Sequence, residues 1–112
     1  MIDFVTLSDG TLQSLKVNGK AVQKSKLNAF NKAVTKSGIF KMYPAENTYT
    51  ASNPFSGAEV ELSGFEYSVF AWCIAWYRGY ERGQMAVPVQ TYDNMRYLFL
   101  ELNAEAYYSL LD

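Results

Sequence analysis

The sequence predicts an α+β domain with amino-terminal antiparallel β-hairpins and one short helix, then three carboxy-terminal helices, the aromatic one central. Three observations carry that prediction. Asn18-Gly19 sits between two short strand-like runs, and a type I′ turn needs positive φ at both central residues. Ser63-Gly64-Phe65-Glu66 reads as a capping box, in which the serine caps the amide three residues on and the glutamate reaches back. The segment that follows, from Phe65 to Arg82, is apolar around well over half of a helical circumference. That is the pattern of a helix contacted on several sides.

Taken in order, residues 2–7 read as a strand stopped by Ser8-Asp9-Gly10, and residues 11–17 as a second, weaker strand entering the Asn-Gly hairpin. Ser25 is expected to cap a helix of about 26–37, with Gly38 just beyond its end. Leu27, Phe30 and Val34 share a stripe with Asn31 at its edge, Lys32 and Lys36 lie opposite, and Lys26 flanks. Residues 39–43 and 48–51 read as two short strands. Asn53-Pro54-Phe55-Ser56-Gly57 is a turn cluster, and residues 52–57 are the one soft seam in a chain otherwise read as a single domain, 1–112. Ala58, Val60 and Leu62 alternate with Glu59 and Glu61, a half-buried strand.

In the aromatic helix Phe65, Val69, Trp72, Trp76 and Tyr80 form one stripe, widened by Phe70, Ile74 and Tyr77. Ser68, Ala71, Ala75 and Gly79 leave room for another element to approach. Gly83 terminates the helix. Val87-Pro88-Val89 reads as an extended connector, Thr91 as the cap of a helix of about 92–102, and Asn103 as the cap of a final helix, 104–111.

Composition narrows the function more than any motif does. The 112 residues are 49% hydrophobic and include seven Phe, nine Tyr and two Trp, ample material for one core. Cys73 is the only cysteine, so no intramolecular disulfide forms, and Met1 to Leu7 lacks the basic start and apolar run of a secretory signal. A reducing, cytoplasmic setting is the expectation. The longest apolar stretch, 65–77, falls short of the roughly 20 residues that span a bilayer, so no membrane partner is expected.

Histidine is absent, which removes the commonest general base and the commonest metal ligand together. With a single Cys beside it, no zinc site of the usual structural kind can be assembled. No catalytic residue, metal or cofactor is expected, and the chain is read as non-enzymatic. Cys73, beside Trp72 on the most apolar helix, is read as a buried and inert thiol.

Charge is the remaining signal. Residues 1–45 carry seven Lys against Asp3 and Asp9, a balance of +5. Residues 46–112 carry Arg78, Arg82 and Arg96 against nine acids, a balance of −6, so the total of −1 conceals a polarised chain. Lys16, Lys20, Lys24, Lys26, Lys32, Lys36 and Lys41 are the candidate basic surface, with Tyr43, Tyr49 and Phe40 near enough in sequence to offer stacking faces. Glu46, Glu59, Glu61, Glu101 and Glu105 are the candidate acidic face. Glu66 and Asp93 are expected to serve a cap and a first helical turn instead.

Three segments also resemble a known group. They are Val17-Asn18-Gly19-Lys20-Ala21-Val22 before the Lys-rich helix, the Asn53-Pro54-Phe55-Ser56-Gly57 turn before the aromatic helix, and the tail from Pro88-Val89-Gln90-Thr91-Tyr92 through Tyr107-Tyr108-Ser109-Leu110-Leu111-Asp112. Together they resemble small, mostly uncharacterised proteins encoded in tailed-phage genomes. The resemblance carries over no catalytic residue. It implies a setting, either the infected bacterial cytoplasm or a minor place in the virion.

The expected function is therefore protein–protein interaction through a charge-polarised surface, as in an inhibitor or modulator of a host factor or defence system. Nucleic-acid binding through the 16–41 segment is the first alternative, although that segment has no arginine and the pI is only about 5.4. A minor virion structural protein is the second, and head-to-tail pairing of the two poles would give a homo-oligomer.

Overall fold

A computed structural model describes residues 1–83 and 87–111. Asp112, the last residue of the tail motif, lies outside them. The architecture is α+β, with antiparallel strands at the amino terminus and four helices. β1 (Ile2–Thr6), β2 (Leu12–Val17) and β3 (Lys20–Ala21) form one antiparallel sheet in chain order. The β2–β3 turn follows the rule that predicted it, with φ of 53° at Asn18 and 82° at Gly19. β4 (Thr48–Ser52) and β5 (Glu59–Ser63) form a separate two-stranded hairpin.

α1 (Lys24–Lys36) lies between the two β units in sequence; α2 (Gly64–Glu81), α3 (Val89–Leu102) and α4 (Ala104–Leu110) follow β5. The capping box at Ser63 is complete: Glu66 N donates to Ser63 Oγ and Ser63 N to Glu66 Oε1. Asn103 caps α4 by accepting from Ala106 N. α2 is the core's axis. Its Phe65 sits between Phe4 of β1 and Phe30 of α1, with ring centroids 4.7 and 5.6 Å away. Its Trp72 donates to Ser37 Oγ just past α1, and Trp76 to the Val87 carbonyl. α3 packs on α1, α2 and α4.

Five local expectations need correction. α1 starts at Lys24 with Gln23 in the cap position and no side-chain cap, so Ser25 lies inside its first turn. The chain turns into α1 directly from β3, held by Val22 N on the Leu15 carbonyl, and tertiary placement replaces the missing cap. The buried face of α1 is Ala29, Phe30 and Ala33, with Leu27 and Val34 only half-buried. Those two alanines let α3 approach closely, which turns Lys26 toward α3.

Residues 39–43 form no strand. Phe40 packs edge-on to Phe30, and Tyr43 N donates to the Ser68 hydroxyl, so a helix rather than a sheet edge takes up this segment. α3 starts at Val89 with Pro88 as N-cap, and Thr91 is buried inside the first turn. The fixed φ of proline sets the helix entry ahead of the threonine. On α2, the end nearest Gly64 and Ser68 is closely approached, since a Cβ at Gly64 would overlap the Pro44 carbonyl, whereas Ala75 faces outward.

Candidate functional site

The turn cluster and the ends of three helices enclose a cleft of about 440 Å³. Its most exposed wall is the β4–β5 loop, fixed by one side chain. Asn53 Oδ1 accepts from Phe55 N at 2.8 Å and Ser56 N at 3.2 Å, and its Nδ2 donates to the Ser109 carbonyl of α4 at 2.9 Å. Gly57 closes the loop at φ 78°, a conformation that suits glycine. The result is a rigid turn that holds Phe55 80% exposed, in contact edge-on with Tyr77 of α2 at 6.2 Å.

Ile74, Leu110 and Leu111 form the apolar floor, and Tyr77 and Tyr92 the walls. Behind Tyr92 lies Trp76, stacked at 4.3 Å. Three charged groups line the cleft: Arg78, Glu81 and Arg96. Arg96 is engaged internally, donating to Asp93 at 3.2 Å and to the Tyr107 hydroxyl at 3.4 Å. Burial works against its charge, but Tyr107, Tyr92 and Asp93 outweigh that and hold its pKa above the ordinary value. Arg78 is exposed and has no ion pair or side-chain hydrogen bond among the described residues.

Neither candidate nucleophile near the cleft is ionised near neutrality. Burial pushes the Tyr92 phenol up to about 12, and it pushes the Cys73 thiol up as well. Among the described residues no three His, Cys, Asp or Glu side chains converge as metal ligands. No helix among them is long and apolar enough to cross a membrane.

The lysines predicted as a surface fall on neighbouring elements. Lys16 and Lys20 lie on β2 and β3, Lys24, Lys32 and Lys36 on α1, and Lys41 follows α1; all six are exposed. Lys26 alone pairs with a carboxylate among the described residues, meeting Glu101 of α3 at 3.6 Å. Tyr43 and Tyr49 come together with Tyr67 of α2, which was not anticipated, and Lys41 lies 4.9 Å from the Tyr43 centroid. The three rings pack on one another, while Phe40 belongs to the core.

Of the acids, Glu59 and Glu61 are exposed on β5 and Glu105 on the adjoining α4, Glu46 is in an exposed turn, and Glu101 faces Lys26. α3 contacts both the lysine-bearing α1 and α4, which carries Glu105.

The cleft residues Phe55, Tyr77, Arg78, Tyr92 and Arg96 were missed as a site. The signals were an aromatic at the centre of a turn cluster and a helix apolar stripe too wide for its neighbours to cover. No protein-family model matches the chain, and no curated protein or solved structure is similar to it.

Proposed function

We propose that this chain is a non-enzymatic interaction protein that docks a partner protein through its charge-polarised exterior. The resemblance to tailed-phage proteins supplies the setting, modulation of a host factor or a defence system. The observation that carries the reading is the state of the lysines: six of the seven are exposed on adjoining elements without a carboxylate partner among the described residues. Charges left in that state cost little to keep hydrated and attract an oppositely charged partner over roughly 10 Å at 0.1 M salt. The lack of histidine and the neutral Tyr92 and Cys73 side chains favour binding over catalysis.

Nucleic-acid binding is less well supported, because the tyrosines nearest the lysines pack together, Tyr49 stacked on Tyr67 and Tyr43 edge-on to both, with all three half-buried. Stacking on bases needs open faces. The test is affinity capture from bacterial lysate at low and physiological salt, with the native chain and with Lys32→Glu/Lys36→Glu. A partner protein retained by the native chain, held more firmly at low salt and released by the double variant, supports the proposal. Failure to retain any protein at either salt contradicts it.

A further inference from the structure

The cleft does not end at the tip of the β4–β5 loop. A second depression of about 380 Å³ shares Pro54, Ile74 and Arg78 with it, and continues past Ala71 and Ala75 toward Thr50 and Tyr67. The two make one trough along the outward side of α2, with Arg78 where they join. We propose that this trough binds a short acidic peptide segment of a partner protein, one that carries an apolar or aromatic anchor beside an Asp or Glu. The inference rests on the interaction reading above and specifies the partner's chemistry.

Three features of the trough define that occupant. The first is charge: among the described residues lining the cleft, Arg96 is held by Asp93 and Tyr107, which leaves Arg78, with Glu81 beside it, as the cation turned outward. A guanidinium pairs with a carboxylate through two parallel hydrogen bonds and stacks on aromatic faces, which a lysine does not. The second is the floor of Ile74, Leu110 and Leu111 between the walls Tyr77 and Tyr92, a socket for one apolar side chain. The third is length, since two joined depressions suit an extended chain better than a compact molecule.

Preorganisation supports the same assignment. Phe55 is 80% exposed, yet its loop is fixed by the Asn53 bonds and by Gly57. An aromatic anchor held rigid in the free state loses little conformational entropy when a partner closes over it. Six of the lysines lie on β2, β3 and α1, none of which lines the trough, and Lys41 alone comes near its Tyr67 end, through Tyr43, so a single lysine rather than a basic track lies along it.

A display library of short random peptides, selected on the full chain, tests this. The enriched peptides should place Asp or Glu within two residues of Phe, Trp, Leu or Ile. Measured by fluorescence polarisation, their affinity should fall about tenfold or more in Arg78→Glu and in Phe55→Ser. Ala75→Trp, which obstructs the second depression from an exposed position, should weaken it as well. Each variant should melt within a few degrees of the native chain, and Lys32→Glu/Lys36→Glu should change peptide affinity by no more than about twofold.

Absence of an acidic-apolar motif, unchanged affinity in the three trough variants, or displacement of the peptide by a single-stranded oligonucleotide would overturn the inference. Lysate capture lost in the lysine double variant but intact in all three trough variants would overturn it too, while leaving the broader interaction reading in place.

Discussion

Within α2, the turns from Gly64 to Cys73 bury Phe65, Ser68, Val69, Phe70, Trp72 and Cys73, whereas the turns from Ile74 onward bury only Trp76 and expose Tyr77, Arg78, Tyr80 and Glu81. Both halves are rich in aromatic and small residues, and the same stripe runs through them. What differs is the cover. β1, α1 and the segment at 39–44 close over the first half, through Phe4, Phe30 and the Tyr43 amide. Over the second half, α3 covers Trp76 through Tyr92, and the β4–β5 loop leans on Tyr77 through Phe55. Burying one large apolar side chain contributes roughly 1.5–3 kcal/mol. Phe55, at 80% exposure, and Tyr80, at 53%, forgo most of that. Aromatic periodicity therefore reports what a helix is able to bury, and its neighbours decide what it does bury.

The contrast makes graded predictions for stability. Phe65→Ala, in the closed half, should cost about 3–5 kcal/mol in urea unfolding, because the ring is enclosed by Phe4 and Phe30 and leaves a cavity. Gly64→Ala should cost about 2–3 kcal/mol, since the new methyl meets the Pro44 backbone and something must shift. A smaller loss would show that the approach of 39–44 to α2 is loose. Ser63→Ala removes the cap and half of the capping box, and should cost about 1 kcal/mol. Phe55→Ser/Arg78→Glu, in the open half, should change unfolding free energy by no more than about 0.5 kcal/mol. A loss as large as that of Phe65→Ala would erase the distinction between the halves.

Much of the fold was legible because it is locally encoded. The Asn18-Gly19 turn, the Ser63–Glu66 box, Gly83 beyond α2 and the Asn103 cap each need only a few consecutive residues to declare themselves. The failures share a cause. Ser25 and Thr91 were good caps on local grounds, but the entries to α1 and α3 are set by Val22 on Leu15 and by Pro88. Residues 39–43 alternate like a strand, yet the Tyr43 amide donates to Ser68 of α2 and the Ile39 amide to Ser37 rather than to a neighbouring strand.

The cleft was illegible for the same reason in stronger form. Its residues come from the β4–β5 loop, α2, α3 and α4, and only tertiary packing brings Phe55 beside Tyr77 or Tyr92 in front of Trp76. The lysine segment stood out in sequence because its residues are contiguous there, and the acids became ordered only when β5 met α4.

Amide hydrogen exchange of the chain alone and with an acidic-apolar peptide selected on it tests the central claim directly. Binding should slow exchange in the loop 53–57 and in the turns of α2 from Ile74 onward, leaving the already closed first half of α2 unchanged. New protection confined to α1, or spread evenly over the molecule, would contradict the assignment of the open half of α2 to recognition.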